Sequence, residues 1–338
     1  EIALSQRFPL TDRLKRERDL SAADLALAKA EVRVREWELA GRVRLAAVDA
    51  LAKANQIRLR RELKEVVAEL AAKIEESFKV AEASQLDVTE AKLEVQSQER
   101  DIQLLEAELV RTRAVLRALL GLPSSKQVAI TGTLPNPEAR YRVSPSGTVL
   151  GDRPDLQLSL LQERRAEAEV HLAKAQRWQD VAVKLFMERE AAEDAPDGLE
   201  RNNFVGIGFS LPLPLRTPEA RLTDVPKRQL EASKASTAAI EAQIRQEIAA
   251  ANESVEQHRR IWQQSSGETL GLARTNVREV RESWRLGKST FVRLQRAQER
   301  ALSLEANAVE ALHQYHRARA ELRRAAAQDL PKETKPKS

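Results

Sequence analysis

The chain has 338 residues, a net charge of +5, 32% charged residues and only 4% aromatic ones, with 11 glycines and 13 prolines. The absence of cysteine excludes a disulfide framework, thiolate metal sites and a cysteine nucleophile. Basic and acidic residues alternate along nearly the whole length, which marks solvated helix faces and not a nucleic-acid footprint, so no nucleic acid is expected as a partner. Few turn formers and many Ala, Leu, Glu and Arg predict long helices in place of a compact enzyme core.

In chain order, Ile2–Leu10 reads as a strand leading into a helix over 13–77, a stretch without proline and with one glycine, Gly41. Leu63, Val66, Leu70, Ile74 and Phe78 recur at helical spacing. At 1.5 Å per residue such a segment spans about 95 Å, too long for one globular core. A short turn around Val80–Ser84 precedes a returning helix over 85–120, carrying Ile102, Leu105, Leu109 and Leu116. Residues 121–151 form a Pro/Gly/Ser-rich connector, with a short strand expected at Val128–Thr131. A helix follows over 155–178, then two strands over 181–189 and 204–213, in which apolar residues alternate with small or polar ones. That length and dyad pattern suit transmembrane barrel strands, and equally an amphipathic hairpin on a soluble domain. A second long helix is predicted over 219–285, a turn at Leu286–Thr290, a return helix over 291–327 and a disordered tail from 329 to 338. No apolar run approaches the ~18 residues of a membrane-spanning helix.

Self-comparison shows a tandem duplication. Ile2–Leu10 aligns with Ile207–Leu215 at an offset of 205, and Phe78–Ala91 with Trp284–Ala297 at 206. The offset of 206 also matches Arg111, Arg113, Ala114, Leu116 and Arg117 to Arg317, Arg319, Ala320, Leu322 and Arg323. The expected organisation is a first repeat over 1–122, a connector over 123–152, a second repeat over 153–328 and a tail. Because the second repeat begins with a helix ahead of its strands, about 50 residues of the first repeat, with any leader, are expected to precede Glu1.

The order helix, strand pair, long helix, tight turn and return helix, given twice, resembles the TolC-type outer membrane efflux proteins. Leu4-Ser-Gln-Arg-Phe-Pro-Leu10 and Phe209-Ser-Leu-Pro-Leu-Pro-Leu215 resemble that family's strand exits. Arg153-Pro-Asp-Leu156 resembles the opening of its second repeat, and Leu286-Gly-Lys-Ser-Thr290 its periplasmic tip turn. The strand exits look closer to the heavy-metal-efflux, CzcC-like branch than to the multidrug branch. The resemblance implies a mainly α fold with a small β part. Tandem helical hairpins would form a trimeric α-barrel, and strands from each protomer a shared transmembrane β-barrel. It also implies a homotrimer in the Gram-negative outer membrane, reaching into the periplasm and working with a periplasmic adaptor protein and an inner-membrane transporter. Four strands per protomer would close a twelve-stranded barrel, whereas three are identifiable here.

By the same resemblance no catalytic residue or cofactor is expected, and the sequence shows no phosphate-binding, dinucleotide or metalloprotease motif. Adaptor docking is assigned to the tips: Val80, Ala81, Glu82, Ala83 and Ser84 in the first copy, Leu286, Gly287, Lys288, Ser289 and Thr290 in the second. The alternative is a plain helix–helix loop. Ala81 stands where the family has glycine, so a less sharp first turn is expected. Multidrug-branch members close the pore with acidic rings at positions held here by Arg293 and Arg296, matched in the first copy by Asp87 and Glu90. The expectation is a less anionic constriction latched by Asp87–Arg293 salt bridges. Trp178 and Phe204 suit either an interfacial aromatic girdle or packing between barrel and helices. His313 and His316, three residues apart, read as ordinary helix histidines ahead of a metal pair, and no metal site is assigned. Two other classes compete with an exit duct: a periplasmic adaptor built on helical hairpins, and a coiled-coil scaffold.

Overall fold

The computed structural model describes residues 2–137, 141–176, 180–194, 198–211 and 219–328. Strand β1 (Ile2–Phe8) leads into helix α1 (Arg13–Lys79), which turns into α2 (Gln85–Leu119). After the connector come α3 (Gly147–Gly151), α4 (Pro154–Ala175), and the strands β2 (Val181–Asp194) and β3 (Gly198–Ser210). Helices α5 (Glu219–Ser266), α6 (Glu268–Arg285) and α7 (Phe291–Ala325) complete the second repeat. Among the described residues no helix is long and apolar enough to cross a membrane.

The chain divides into two compact units, Glu1–Val34 with Arg153–Gln243, and Arg35–Asp152 with Ile244–Ser338. The first contains an antiparallel sheet in the order β1-β2-β3. Its strands are tied to their helices by polar contacts. Thr11 Oγ1 donates to the Ala175 carbonyl at 2.9 Å, and Arg13 donates to Asp180 at 2.7 Å. Arg153, only 3% exposed, folds back on Asp155 with bonds of 2.9 and 2.6 Å, and Pro154 starts α4 where a missing N–H costs nothing. Ser159 and Thr237 share a buried 2.7 Å hydrogen bond between α4 and α5.

In the second unit α1 and α2 form an antiparallel hairpin laced by ion pairs: Lys53–Glu108, Arg60–Asp101, Arg61–Glu106 and Lys64–Glu99. The helices α6 and α7 make the corresponding hairpin of the second repeat. Nearest the turns, one apolar cluster joins all four helices through Leu70 and Ile74, Val88 and Ala91, Val280, and Phe291, Leu294 and Ala297.

Two expectations need correction. The predicted helix over 219–285 is two helices, interrupted at Gly267, whose φ of −85° and ψ of −129° leave the helical region. A Cβ there would lie 2.9 Å from the Gln263 carbonyl oxygen, so the interruption needs glycine. Residues 128–131 form no strand. The segment has no regular secondary structure, and its Ile130 packs against Ala50, Ile57 and Leu109. The connector is instead held by side chains: Asn252 accepts from the Val143 N–H at 2.9 Å and donates to its carbonyl at 2.7 Å, replacing a strand partner.

Candidate functional site at the hairpin tips

Both tips end their helix in the same way. Ala81 has φ of 62° and Gly287 φ of 67°, each in the left-handed region. In the first tip Glu82 N–H donates to Ser77 O at 2.9 Å and Ala81 N–H to Phe78 O at 3.0 Å. In the second, Lys288 N–H donates to Ser283 O at 2.8 Å and Gly287 N–H to Trp284 O at 2.9 Å. These paired bonds define the Schellman motif, so the first turn is as sharp as the second. Ala81 corrects the expectation of a looser turn: alanine is forced into a conformation that costs about 1–2 kcal/mol without glycine. The same motif, 206 residues apart, ends α2 at Gly121 (φ 64°) and α7 at Ala327 (φ 53°).

The return helices are capped by Ser84 and Thr290. Ser84 Oγ accepts from Asp87 N–H at 3.1 Å, while the Asp87 carboxylate accepts from Ser84 N–H at 2.9 Å, a complete capping box. Thr290 Oγ1 accepts from Arg293 N–H at 3.4 Å, and Arg293 has no carboxylate to reciprocate. Within the chain Asp87 serves its own cap through Oδ2 and makes no ion pair with Arg293. Glu90, half-buried, and Arg296, exposed, line one groove of about 430 Å³ between α2 and α7, with Leu93, Glu94 and Val292. At the outermost positions Val80 and Leu286 are 65% and 67% exposed, and Glu82 and Lys288 are exposed beside them. At the 206-residue offset Glu82, Asp87, Glu90 and Glu94 match Lys288, Arg293, Arg296 and Arg300, so the two tips carry opposite charge.

Strand pairing sorts the sheet into two faces. Leu4 pairs with Leu185 and Leu185 with Ile207, and Phe8 pairs with Val181. That face holds Ile2, Leu4, Gln6, Phe8, Val181, Val183, Leu185, Met187, Val205, Ile207 and Phe209, with Gln6 its one polar member. Ile2 is 79% and Phe209 75% exposed, so the face is apolar and uncovered within the chain. The opposite face holds Ala3, Ser5, Arg7, Lys184, Phe186, Glu188, Gly206, Gly208 and Ser210. Phe204 pairs with Glu188 and belongs to this polar and small-residue face, so strand alternation sets it apart from the apolar band where a lipid-interface girdle would sit. Trp178 lies outside the described residues. A Cβ at Gly206 would meet the Phe186 ring at 2.5 Å, so glycine makes room for the ring on that face.

The histidines take separate structural roles. His313 Nε2 lies 2.8 Å from Asp49, which Arg317 also holds, at 2.9 and 3.0 Å. Burial pushes Asp49 up, but the bonds from His313 and Arg317 outweigh it and hold the carboxyl below its usual range. His316 Nε2 donates to the Pro135 carbonyl at 2.8 Å, and burial lowers its pKa. Among the described residues no group of His, Asp and Glu is arranged to hold a metal ion. Sequence reading missed this network, because Asp49 is 264 residues from His313 and carries no local signal.

Comparison with known proteins gives three findings. A family model described as "Outer membrane efflux protein" matches residues 146–328, more than half of the chain. No characterised protein matches in sequence at a significant level. Solved structures do match in fold. The outer membrane protein VceC of Vibrio cholerae is 16% identical with a TM-score of 0.73, over 96% of this chain and 78% of its own. The Campylobacter jejuni CmeC outer membrane channel is 13% identical with a TM-score of 0.74, over 96% and 70%. The Neisseria gonorrhoeae MtrE channel, solved in its open state, is 18% identical with a TM-score of 0.74, over 96% and 73%. The duplicated hairpins, the two-faced sheet and the family match lead to one conclusion: the chain belongs to the outer membrane efflux protein family.

Proposed function

We infer that the protein is the outer-membrane exit duct of a tripartite efflux pump or type I secretion system, a passive channel opened when a periplasmic adaptor docks on its helical tips. The single observation that carries this reading is the sheet: one face apolar and exposed, the other small and polar, with β1 and β3 as its two outer strands. In water such a face is a large apolar patch and such edges invite pairing. In a membrane, closure with strands of other protomers pairs the edges and turns the apolar face to lipid. A homotrimer, the assembly that the family resemblance implies, would supply those partners. The helices, charged on their outer surfaces, then stand in the periplasm around a water-filled path, and an inner-membrane transporter supplies the energy.

The exposed tips, Val80 to Ser84 and Leu286 to Thr290, are the docking surface in this proposal, and Asp87, Glu90, Arg293 and Arg296 ring the narrow end. Asp87 Oδ2 serves its own cap, which leaves Oδ1 open to Arg293 across protomers in this proposal, beside Glu90 and Arg296. The adaptor and scaffold readings receive no support, because the family match is to efflux proteins. The test is the mass of the full-length protein in detergent. A stable trimer is expected. A monomer that stays soluble without detergent would overturn the reading.

A further inference from the structure

Helices α2 and α6 stand on two flanks of the same pair. Helix α2 shares one groove with α1 and another with α7, and α6 shares a groove with both. Each also carries an outward line. On α2 it is Leu86, Leu93, Arg100, Leu104 and Arg111, all within about 40° at 100° per residue. On α6 and its C-cap it is Leu286, Glu279, Leu272 and Glu268, within the same spread. These five leucines are 60–67% exposed, and the four charged residues are exposed with them.

The two lines have opposite charge because the other charges are already used inside the chain. On α2, Glu99, Asp101, Glu106 and Glu108 are drawn to Lys64, Arg60, Arg61 and Lys53 of α1, which leaves its line basic. On α6, Glu305 takes Arg274 and Glu282 takes Arg285, which leaves its line acidic. Arg100 bonds Ser97 and Asp101 of its own helix at 3.3 and 3.7 Å. Glu268 and Glu279 make no side-chain hydrogen bond or ion pair among the described residues.

Steps of 7 and 11 residues mark a seam that receives another helix. Counted in residues from the tip leucines, Leu86 and Leu286, α2 places leucines at 0, 7 and 18 and Arg100 at 14. Counted the same way, α6 places leucines at 0 and 14 and its glutamates at 7 and 18. Laid antiparallel with tips level, each leucine above the tips meets a charge of the other line, so the leucines interdigitate. Arg100 then stands four residues below Glu268, about 6 Å along the axis and within reach of its side chain.

We propose that the two lines are the halves of one head-to-tail contact, in which α2 of one copy packs against α6 of the next. The occupant is a second copy because this chain carries both halves. A contact between two different patches closes into a ring when its rotation allows. The proposal deepens the duct reading and rests on it for closure at three. In the dissociated chain Leu104 stays exposed, so its loss registers in association and not in the chain's own unfolding.

The chain has no cysteine, which makes cross-linking clean. Leu104→Cys and Glu268→Cys, level with each other, are placed singly on two differently tagged full-length chains, co-expressed and oxidised in detergent. A disulfide-linked dimer bearing both tags is expected from the mixture, and none from either variant alone. Arg100→Glu with Arg111→Glu is expected to weaken association at least tenfold on dilution, and adding Glu268→Arg with Glu279→Arg to restore it within about threefold. The cross-link, made with all four charges of the other chain intact, serves if the reversed variants do not fold by circular dichroism. No mixed dimer, dimers from one variant alone, or reversed charges without effect or rescue would overturn the proposal. A trimer without the cross-link would leave these lines to an adaptor and overturn it equally. Single-channel recording separates the two readings: channels without the mixed dimer sink the contact alone, and the mixed dimer without channels sinks the duct alone.

Discussion

The return helices α2 and α7 are matched in length and position by duplication, 35 residues each, yet their surroundings differ. Helix α2 buries a narrow line, Val88, Ala91, Gln98, Ile102, Leu109 and Leu116, and is joined to α1 largely by ion pairs. It leaves Leu86, Leu93, Leu104, Val110 and Val115 at least half exposed. All but Val110 fall at steps of 7, 11 and 11 residues, within about 20° of one line down a 3.6-residue helix, so they form one uncovered stripe. Helix α7 is buried on much more of its circumference, through a series of alanines together with Leu294, Tyr315 and Leu322. Small residues let its neighbours approach from several sides. One copy of the hairpin became the centre of the unit while the other kept the same backbone as a flank. A duplication preserves turns and caps because these are local, and diverges in side-chain size because burial is set by neighbours.

The largest expected effect contrasts these helices. Leu322→Ala, at a fully buried position, is expected to cost about 2–5 kcal/mol in chemical denaturation, whereas Leu104→Ala, 60% exposed, costs under about 1. Equal losses would mean that the α2 stripe is covered in the assembly and would turn the contrast into a map of the protomer interface. Next come the turns. Gly287→Ala is expected to lose about 1–2 kcal/mol by forcing a Cβ into the left-handed region, and Ala81→Gly to gain up to about 1, both read from thermal melts. Two losses would show that the tips are not equivalent. The caps are expected to differ in the same sense: Ser84→Ala about 1 kcal/mol, Thr290→Ala less, because the 3.4 Å bond is long and unreciprocated.

The smallest effect is one of pH. Burial favours neutral His316, so its folded pKa lies below the unfolded one. Its contribution is present above the unfolded pKa near 6.5 and is lost as pH falls below it toward the folded value. His316→Gln is therefore expected to flatten the fall in melting temperature between pH 7.5 and pH 5. An unchanged slope would remove His316 from the account. Asp49 acts at lower pH. Its depressed folded pKa keeps its stabilisation above the ordinary carboxylate range and loses it only on further acidification.

Much of this was legible in the sequence where the signal is local and periodic. Ser84 and Thr290 cap helices within a residue or two of where the apolar spacing restarts, and the alternation around Val183 and Ile207 gave strands of the right face. Gly267 escaped because a lone glycine in a helical pattern is tolerated as often as it breaks the helix. Its first-copy counterpart, Arg61, lies in an unbroken α1. Ala81 misled because residue type alone argues against a left-handed turn, while the six-residue ring of hydrogen bonds around it enforces one. Asp87 carries two signals at once, a charge at the family's pore position and, in Ser84-x-x-Asp87, a capping signature, and within the chain the second is the one formed. For Phe204 the sequence shows only nearness to the strand ends, and the register with Glu188 fixes its face.

The central claim, that the two-faced sheet joins others to make a membrane channel, is tested most directly by single-channel recording of the purified full-length protein in planar lipid bilayers. Stepwise, uniform conductance that is abolished by charged substitutions on the apolar face, such as Leu185→Asp with Ile207→Asp, is the predicted result. A protein that folds and assembles yet never conducts, with or without those substitutions, would contradict it.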